Sequence, residues 1–580
     1  MEDSFKGAAL DILRRVWGFD ALRPGQAEAI GRILDGGDVL AILPTGGGKS
    51  LCYQLPALLA DGPALVVSPL IALMRDQVEG LRARGVAAER LDSSESCDRR
   101  SVLEALDEGR LDLLYVSPEG FMAMGDRLAT HPWSLIAFDE AHCVSQWGND
   151  FRPDYRAAAE RAKALGRPTI AVTATADPTT RADVAEILFA APPHILVGGF
   201  DRPNIRMRFA RKTSAQAALD GVATLARARA GQRGIVYRLS RKDAEATAAR
   251  LAAEDLPAAP YHAGLSDAER SRAQDRFAED PGFIICATTA FGMGVDQPDV
   301  RWVLQGDLPQ DLESWLQEIG RAGRDGAPAQ AITLHSPGDV MRRLRFIDRS
   351  EAPDAVKAVM RRRLDALVAV TETVGCRRQA ALRYFGEILA EPCGACDTCL
   401  SPPERRPMGA AAEAIAERLE DGIPAGALVQ RAAKALDSPL QEISAVLRGL
   451  QAAGALTVDP TSGRVLRLAD DFDFAGFALA AAPEAPARRS PRRAQTAPPP
   501  SRADAHPKAE AVRARLQAWR KDAAAGKPAF TIFGNVTLDA LAAAPPRSTH
   551  ELSAIPGLGP ARIAKHGDAI LAEIEAALAA

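Results

Sequence analysis

The run Phe138-Asp139-Glu140-Ala141-His142-Cys143-Val144-Ser145-Gln146-Trp147-Gly148-Asn149-Asp150-Phe151-Arg152-Pro153 constrains this chain more than any other stretch. Residues 134–138, just before the acids, form an apolar run of strand length. A strand ending in Asp-Glu sets two carboxylates at the carboxyl edge of a sheet, where phosphates bind in open α/β folds. Adjacent acids usually form a solvated face, but a buried strand in front of them points to a metal and water site. Trp147, Phe151, Arg152 and Tyr155 follow, residue types that stack on bases and pair with phosphates.

Upstream, residues 38–43 read as an apolar strand, and Pro44-Thr45-Gly46-Gly47-Gly48-Lys49-Ser50 as a glycine-rich turn into a helix. Glycines let backbone N–H groups close around phosphate oxygens, and a helix N-terminus adds partial positive charge. In this pattern Lys49 reaches the β- and γ-phosphates of a nucleotide and the Ser50 hydroxyl ligates Mg²⁺. Asp139 is then the second metal partner, and Glu140 the base or orienting group for water. Leu43 occupies the first glycine position of the strict G-x-x-x-x-G-K-[ST] pattern, so the shorter T-G-x-G-K-S form applies.

Length and charge narrow the class. The 580 residues should hold four or five domains. With 71 Lys and Arg against 75 Asp and Glu, the net charge is −4, so nucleic-acid contacts must come from local patches. No apolar run is long enough to span a bilayer. The N-terminal stretch carries Glu2 and Asp3 and reads as an amphipathic helix through Leu10, Leu13, Val16 and Trp17, not as a signal peptide. A soluble chain in a reducing compartment is expected.

Apolar strands alternate with helices to about residue 205, predicting an α/β domain, and the rhythm restarts at residues 234–237, 283–286 and 302–304. Cys52, Cys97, Cys143 and Cys286 lie in core-like segments and read as inert thiols. Cys376, Cys393, Cys396 and Cys399 cluster, the last three as C-x-x-C-x-x-C. Four thiolates make a closed tetrahedral Zn²⁺ site; an iron–sulfur cluster or a disulfide pair are the alternatives. Within residues 404–475, a helical stretch at 440–450 leads into 455–458, a turn at 459–463 and 464–468, the pattern of a winged helix, with a plain helical packing domain as the alternative. The Pro- and Arg-rich residues 485–500 predict a disordered linker.

Taken in order, these motifs resemble the RecQ family of superfamily 2 DNA helicases along nearly the whole chain. Arg23-Pro24-Gly25-Gln26 matches the leading motif, and Thr45 to Ser50 the nucleotide loop. Ser68-Pro69-Leu70-Ile71-Ala72-Leu73-Met74 matches a motif holding the DNA backbone. Asp139-Glu140-Ala141-His142 matches the metal and water motif, and Ala171-Val172-Thr173-Ala174-Thr175-Ala176 the one linking hydrolysis to movement. Tyr261-His262-Ala263-Gly264-Leu265, Phe291-Gly292-Met293-Gly294-Val295-Asp296 and Gln317-Glu318-Ile319-Gly320-Arg321-Ala322-Gly323-Arg324-Asp325-Gly326 complete the series. Phe533-Gly534-Asn535-Val536-Thr537-Leu538-Asp539-Ala540-Leu541 and Ile555-Pro556-Gly557-Leu558-Gly559-Pro560 resemble an HRDC domain.

The resemblance implies an α/β architecture. Two RecA-like parallel-sheet domains (1–205 and 206–338) precede a zinc-binding helical module (339–403) and a short winged-helix-like domain (404–478). A basic, Pro-rich linker (479–505) then leads to a helical HRDC bundle (506–580). It implies nucleotide contacts from Arg23, Gln26 (reading the adenine edge), Thr45, Gly46, Gly47, Gly48, Lys49, Ser50 and Asp296. Arg321 and Arg324 would act as arginine fingers, and Ser68, Trp147, Phe151, Arg152, His262 and Thr288 would contact DNA. Implied cofactors are ATP, Mg²⁺ and Zn²⁺. Implied partners are single-stranded and duplex or junction DNA, with a single-strand-binding protein or recombination factors beside them. The implied activity is 3′ to 5′ translocation with unwinding in repair and recombination, in the cytoplasm at the nucleoid and away from membranes. Two departures stand out: Asn149 replaces the usual His, and Tyr237-Arg238-Leu239-Ser240 replaces a Cys-Asn before Ser.

Overall fold

The computed structural model describes residues 3–44, 46–92, 97–145, 152–292, 297–420, 422–467, 469, 471–481, 506–524, 529, 532–553, 555, 557–558 and 560–579. The first sheet comprises β1 Val39–Ile42, β2 Ala64–Val67, β3 Ala88–Leu91, β4 Leu113–Val116, β5 Leu135–Phe138, β6 Thr169–Thr173 and β7 His194–Val197. They pair in parallel in the order β3-β4-β2-β5-β6-β1-β7. β1, β2, β4, β5 and β6 are buried along their whole length. Strands covered on both faces need apolar side chains on both, which is why they read as continuous runs instead of alternating. β5, β6 and β1 are neighbours, so residues 139–140, 173–175 and the glycine-rich loop emerge together at one edge.

A second parallel sheet, in the order β10-β11-β9-β12-β13-β8, contains β8 Ile205–Arg211, β9 Gly234–Tyr237, β10 Ala258–Tyr261, β11 Ile284–Ala287, β12 Trp302–Gln305 and β13 Ala329–His335. β8 lies at its edge and alternates buried with exposed residues. Helices Pro337–Arg349, Asp354–Glu372 and Arg377–Tyr384 follow and lead to the cysteine cluster.

Helices Gly409–Ala416, Ala425–Leu436 and Leu440–Ala453 then pack with an antiparallel sheet of β15 Ile423–Pro424, β17 Arg464–Arg467 and β16 Leu456–Val458, numbered after β14 Arg405–Pro407. The predicted hairpin is present as β16 and β17. Its turn is docked: Arg362 Nε donates to the Pro460 carbonyl at 2.6 Å, and Thr179 Oγ1 to Asp459 Oδ2 at 3.4 Å. β14 pairs with β18 Ala478–Ala480, so the chain remains in a strand past residue 478, where the linker was expected to begin. Leu479 is buried there, and that burial holds the segment in place. Residues 482–505 of the expected linker lie outside the described residues.

The chain divides into two compact units, 1–481 and 482–580. The second contains helices Ala509–Ala523, Asn535–Ala543, Thr549–Leu552 and Pro560–Ala579 around Val512, Leu516, Phe533, Leu538, Leu541 and Ile570. Among the described residues no helix is long and apolar enough to cross a membrane.

Candidate nucleotide cleft and cysteine cluster

The glycine-rich loop leaves β1 and turns back through Gly46 and Gly48, whose φ angles of +78° and +73° suit glycine. Gln26 is seated on this loop. Its amide donates to the Gly47 and Gly48 carbonyls at 3.1 and 3.0 Å, and its oxygen accepts from the Arg23 N–H at 2.8 Å. The Arg23 guanidinium donates to the Gly46 carbonyl. Both polar atoms of the Gln26 side chain are therefore engaged, and reading an adenine edge requires exchanging these bonds. Lys49 and Ser50 are partly buried at the end of the loop, and Thr45 lies outside the described residues.

β5 ends at Phe138, and Asp139 is buried immediately beyond it. Asp139 Oδ1 accepts from the Glu140 N–H at 2.9 Å, and Oδ2 from the Tyr53 hydroxyl at 3.3 Å. Burial, reinforced by the neighbouring Glu140 charge, pushes the Asp139 carboxyl well above its usual range, with Lys49 acting in the opposite sense. Glu140 has left-handed backbone angles, φ 48° and ψ 48°, uncommon for a residue with a side chain. Its Oε2 lies 3.4 Å from His142 Nδ1.

A polar relay runs from this acid across the cleft. His142 Nδ1 lies 2.9 Å from Thr173 Oγ1. The Thr173 hydroxyl donates to the Thr175 carbonyl at 3.1 Å, and Gln317 Nε2 of the second domain donates to Thr175 Oγ1 at 3.0 Å. Thr173 has one hydroxyl proton and gives it to Thr175, so the His142 ring donates from Nδ1.

The second domain brings its arginine turn to the loop. A Cβ at Gly46 would stand 3.3 Å from Arg324 Cγ. Arg321 is buried near Tyr237. Arg202 holds the turn by donating to the Gly320, Ala322 and Gly323 carbonyls at 2.9–3.0 Å. Asn204 adds bonds to Gly323 and Ala327. Sequence reasoning did not single out Arg202, Asn204 or Tyr53; nothing in their local pattern distinguishes them from other polar residues beside apolar runs.

The expected DNA-contacting residues fall into three groups. Trp147 and Phe151 lie outside the described residues, as do Asn149, one of the two departures, and Asp296 of the nucleotide set. Ser68 and His262 are buried, Ser68 Oγ without a hydrogen-bond partner and His262 Nε2 at 3.0 Å from Glu245. Arg152 and Thr288 are half-buried, and Arg152 donates to the Pro69 carbonyl at 2.6 Å. Tyr155 corrects the sequence reading. Grouped there with base-stacking residues, it is fully buried, packs edge-on against Phe138, and its single hydroxyl proton lies within reach of the carbonyls of Val67 and Asp139. It props the acidic strand end from beneath, because an aromatic ring with one donor serves a core as well as a surface. Arg238, at the second departure, is buried against Asp307 at 3.0 Å and Thr247 at 2.7 Å.

The four clustered cysteines bring their Sγ atoms within 4.8 Å of one another. Cys376 caps the helix Arg377–Tyr384, and its sulfur accepts N–H bonds from Gln379 and Cys393; Cys393 Sγ accepts one from Ala395. N–H donors favour thiolates, and four sulfurs so close fit the tetrahedral Zn²⁺ geometry, with Zn–S near 2.3 Å. Of the remaining thiols, Cys52 and Cys286 are fully buried and pushed up to about 12 by that burial, which makes them inert. Cys143 is buried too, whereas Cys97 is only half-buried, with its Sγ 3.3 Å from the Arg90 carbonyl.

Comparison with known proteins matches this layout. Residues 23–184 match the DEAD/DEAH box helicase model, 217–326 the helicase conserved C-terminal domain, 337–400 the RecQ zinc-binding model and 509–574 the HRDC domain. The ATP-dependent DNA helicase RecQ of Bacillus subtilis is 33% identical over 595 residues, covering 98% of both chains. The protein of that name from Haemophilus influenzae is 41% identical over 406 residues, 69% of this chain and 65% of that one. With the Pasteurella multocida protein the match spans 64% of the relative's length. A solved structure of Mss116p bound to ssRNA and AMP-PNP shares the fold, with a TM-score of 0.50 at 15% identity over 79% of this chain and 90% of that one. Identity of one third along almost the full length of the Bacillus relative shows the family: the chain belongs to the RecQ family.

Proposed function

We propose that this chain is an ATP-driven DNA helicase that moves 3′ to 5′ on single-stranded DNA and opens duplexes or junctions in repair and recombination. The observation that carries this reading is the meeting of the glycine-rich loop, the Asp139–Glu140 pair and Arg324 at one cleft. The relatives from Bacillus subtilis and Haemophilus influenzae are named ATP-dependent DNA helicases.

In the proposed reaction Lys49 and the loop N–H groups bind the phosphates of ATP. Glu140, turned by its left-handed backbone and flanked by His142, takes the proton of the attacking water. Ser50 and Asp139 would hold Mg²⁺, which when bound offsets charge on the phosphate oxygens. A cation there would offset the burial and the Glu140 charge that push the Asp139 carboxyl upward. Arg321 and Arg324 stabilise charge on the departing γ-phosphoryl group. The His142–Thr173–Thr175–Gln317 relay carries the cleft's state to the second domain.

DNA engagement is assigned to Ser68, Arg152, Trp147 and Phe151 on the first domain and to His262 and Thr288 on the second, with Thr45 and Asp296 completing the nucleotide contacts. Arg152 and Pro69 are bonded, and the Asp139 N–H donates to the Val67 carbonyl at 2.9 Å, so a strand pressing there lies a few residues from the acids. Cys376, Cys393, Cys396 and Cys399 would hold a structural Zn²⁺.

Strand displacement on matched DNA and RNA duplexes, each with a 3′ or a 5′ tail, tests the reading. Opening of the 3′-tailed DNA with ATP is expected. RNA-restricted opening, or ATP hydrolysis without displacement, would overturn it.

A further inference from the structure

Behind the cleft, side chains from three parts of the fold converge. Arg363, on the helix Asp354–Glu372, donates to Asp177 Oδ2 at 2.7 Å and to Thr180 Oγ1 at 2.9 Å. Tyr384, on the helix Arg377–Tyr384, donates to Glu313 Oε1 at 2.7 Å and lies 3.3 Å from Asp177 Oδ2. Arg363, Asp177 and Glu313 are each at most 5% exposed. Asp177 caps the helix Pro178–Leu188, two residues beyond Thr175. Glu313 lies four residues before Gln317 on the helix Leu312–Ile319, hence on the same face. Thr175 and Gln317 form one of the bonds between the two sheet domains. Arg363 and Tyr384 therefore grip both sides of that bond from the module that carries the cysteines.

This network is incompletely bonded. Arg363 Nε and Glu313 Oε2 are buried without hydrogen-bond partners, and Arg363 Nε stands 3.8 Å from Glu313 Oε1. Buried polar atoms are nearly always paired, and unpaired charged ones are costly. A shift of the helix Leu312–Ile319 by about 1 Å toward Asp354–Glu372 would bring Arg363 Nε into bonding range. Small helix shifts of this size are the kind of movement that switching interfaces use.

We propose that Arg363, Tyr384, Asp177 and Glu313 form a positioning hub. It sets how Gln317 and the arginine turn beyond it face the nucleotide, and so ties the cysteine module to the rate of turnover. None of the four is assigned to the reacting atoms. The inference rests on the ATP-hydrolysing reading above. The competing role is plain cement, which would lower stability and leave the chemistry alone.

Tyr384→Phe removes one hydroxyl and keeps the ring; Arg363→Lys keeps the charge. In the full chain, ATP hydrolysis is measured with and without oligothymidylate, beside zinc content and melting temperature. Tyr384→Phe should lower the DNA-stimulated kcat roughly 3- to 30-fold, the range of coupled contacts. KM for ATP should change less than about two-fold, and zinc content should stay at that of the parent. Adding Tyr384→Phe to Gln317→Ala should cost little beyond Gln317→Ala alone, because both act through one bond. Losses that multiply, or a lower melting temperature at unchanged kcat, would overturn the hub. A parent chain that binds but does not hydrolyse ATP would sink the underlying reading instead. The hub would then be judged by amide hydrogen exchange in residues 320–324: faster exchange in Tyr384→Phe supports it, and unchanged exchange rejects it.

Discussion

Two buried aspartates, one beyond each sheet, show how the same position can serve opposite ends. Asp139 directly follows β5, and Asp307 follows β12 after one glycine; each strand is central in its sheet, and both side chains are buried. Around Asp307 the fold supplies its own cations. Lys212 Nζ lies at 2.7 Å, Arg238 Nε at 3.0 Å and Arg342 at 3.0 Å. Burial would raise the Asp307 carboxyl, but Arg238 and Lys212 hold it far below its usual range. Asp139 has only a tyrosine hydroxyl and a backbone N–H as partners, no ion pair within 4.0 Å among the described residues, and a carboxyl pushed upward. An acid neutralised by its own fold is structural; one whose counter-charge is left open is suited to a cation and a phosphate. The contrast also accounts for Arg238 at a position where the family usually differs: it is Asp307's counterion.

The strongest test of the contrast is chemical. Glu140→Gln and Lys49→Ala should each reduce ATP turnover by roughly 10²- to 10⁴-fold, while DNA binding and melting temperature hold. Near-normal single-turnover hydrolysis in either folded variant would remove the cleft assignment.

Stability should divide the two aspartates in the other direction. Asp307→Ala leaves Arg238 buried without its carboxylate, while Lys212 keeps Asp339 at 3.0 Å, at a cost of roughly 3–5 kcal/mol in urea unfolding. Asp139→Ala should cost far less than that, although it removes ATP turnover. Equal losses from the two changes would collapse the distinction.

Glu318 sharpens it with a third case, a buried acid bonded to an amide. Gln305 Nε2 donates to it at 2.5 Å, and burial pushes its carboxyl up to about 7 despite that bond. The folded form therefore holds the proton over a range where the unfolded chain, near pH ~4.3, has released it. The stability Glu318 contributes is full below that unfolded value and is lost as pH rises toward about 7. Glu318→Gln should flatten this decline and gain about 1–3 kcal/mol over the parent at pH ~8. An unchanged slope in urea unfolding against pH would show that the carboxyl is not held protonated.

The smallest expected effect concerns the segment after the first acid pair. Trp147→Ala should reduce the stimulation of ATP hydrolysis by single-stranded DNA roughly ten-fold, the value of one base–aromatic stack, with basal turnover retained. A parallel fall in basal rate and melting temperature would make Trp147 a core anchor instead.

Much of this architecture was legible because it is encoded locally. Short apolar runs set between turns and helices read as strands buried on both faces, and β1, β2, β4 and β5 are such runs. The cysteine spacing announced a cluster, and the apolar pattern around the 459–463 turn announced a hairpin. Side-chain assignments were less secure. The amphipathic ring of Tyr155 suits a base or a core, and its local sequence does not choose; packing against Phe138 does. The resemblance turns Gln26 toward adenine, while packing seats its amide on the glycine loop.

The sequence by itself determined the kind of chemistry: a phosphate loop after one strand, two acids after another, two arginines in a glycine-rich turn and four thiols in a cluster. These depend on residue type and short spacing, which short-range backbone geometry preserves. Only the tertiary structure decided which polar atoms meet. Arg363 and Asp177 are 186 residues apart, and Gln317 and Thr175 are 142. No local pattern specifies such pairs, because the energy that selects them comes from burying whole helix and sheet faces together.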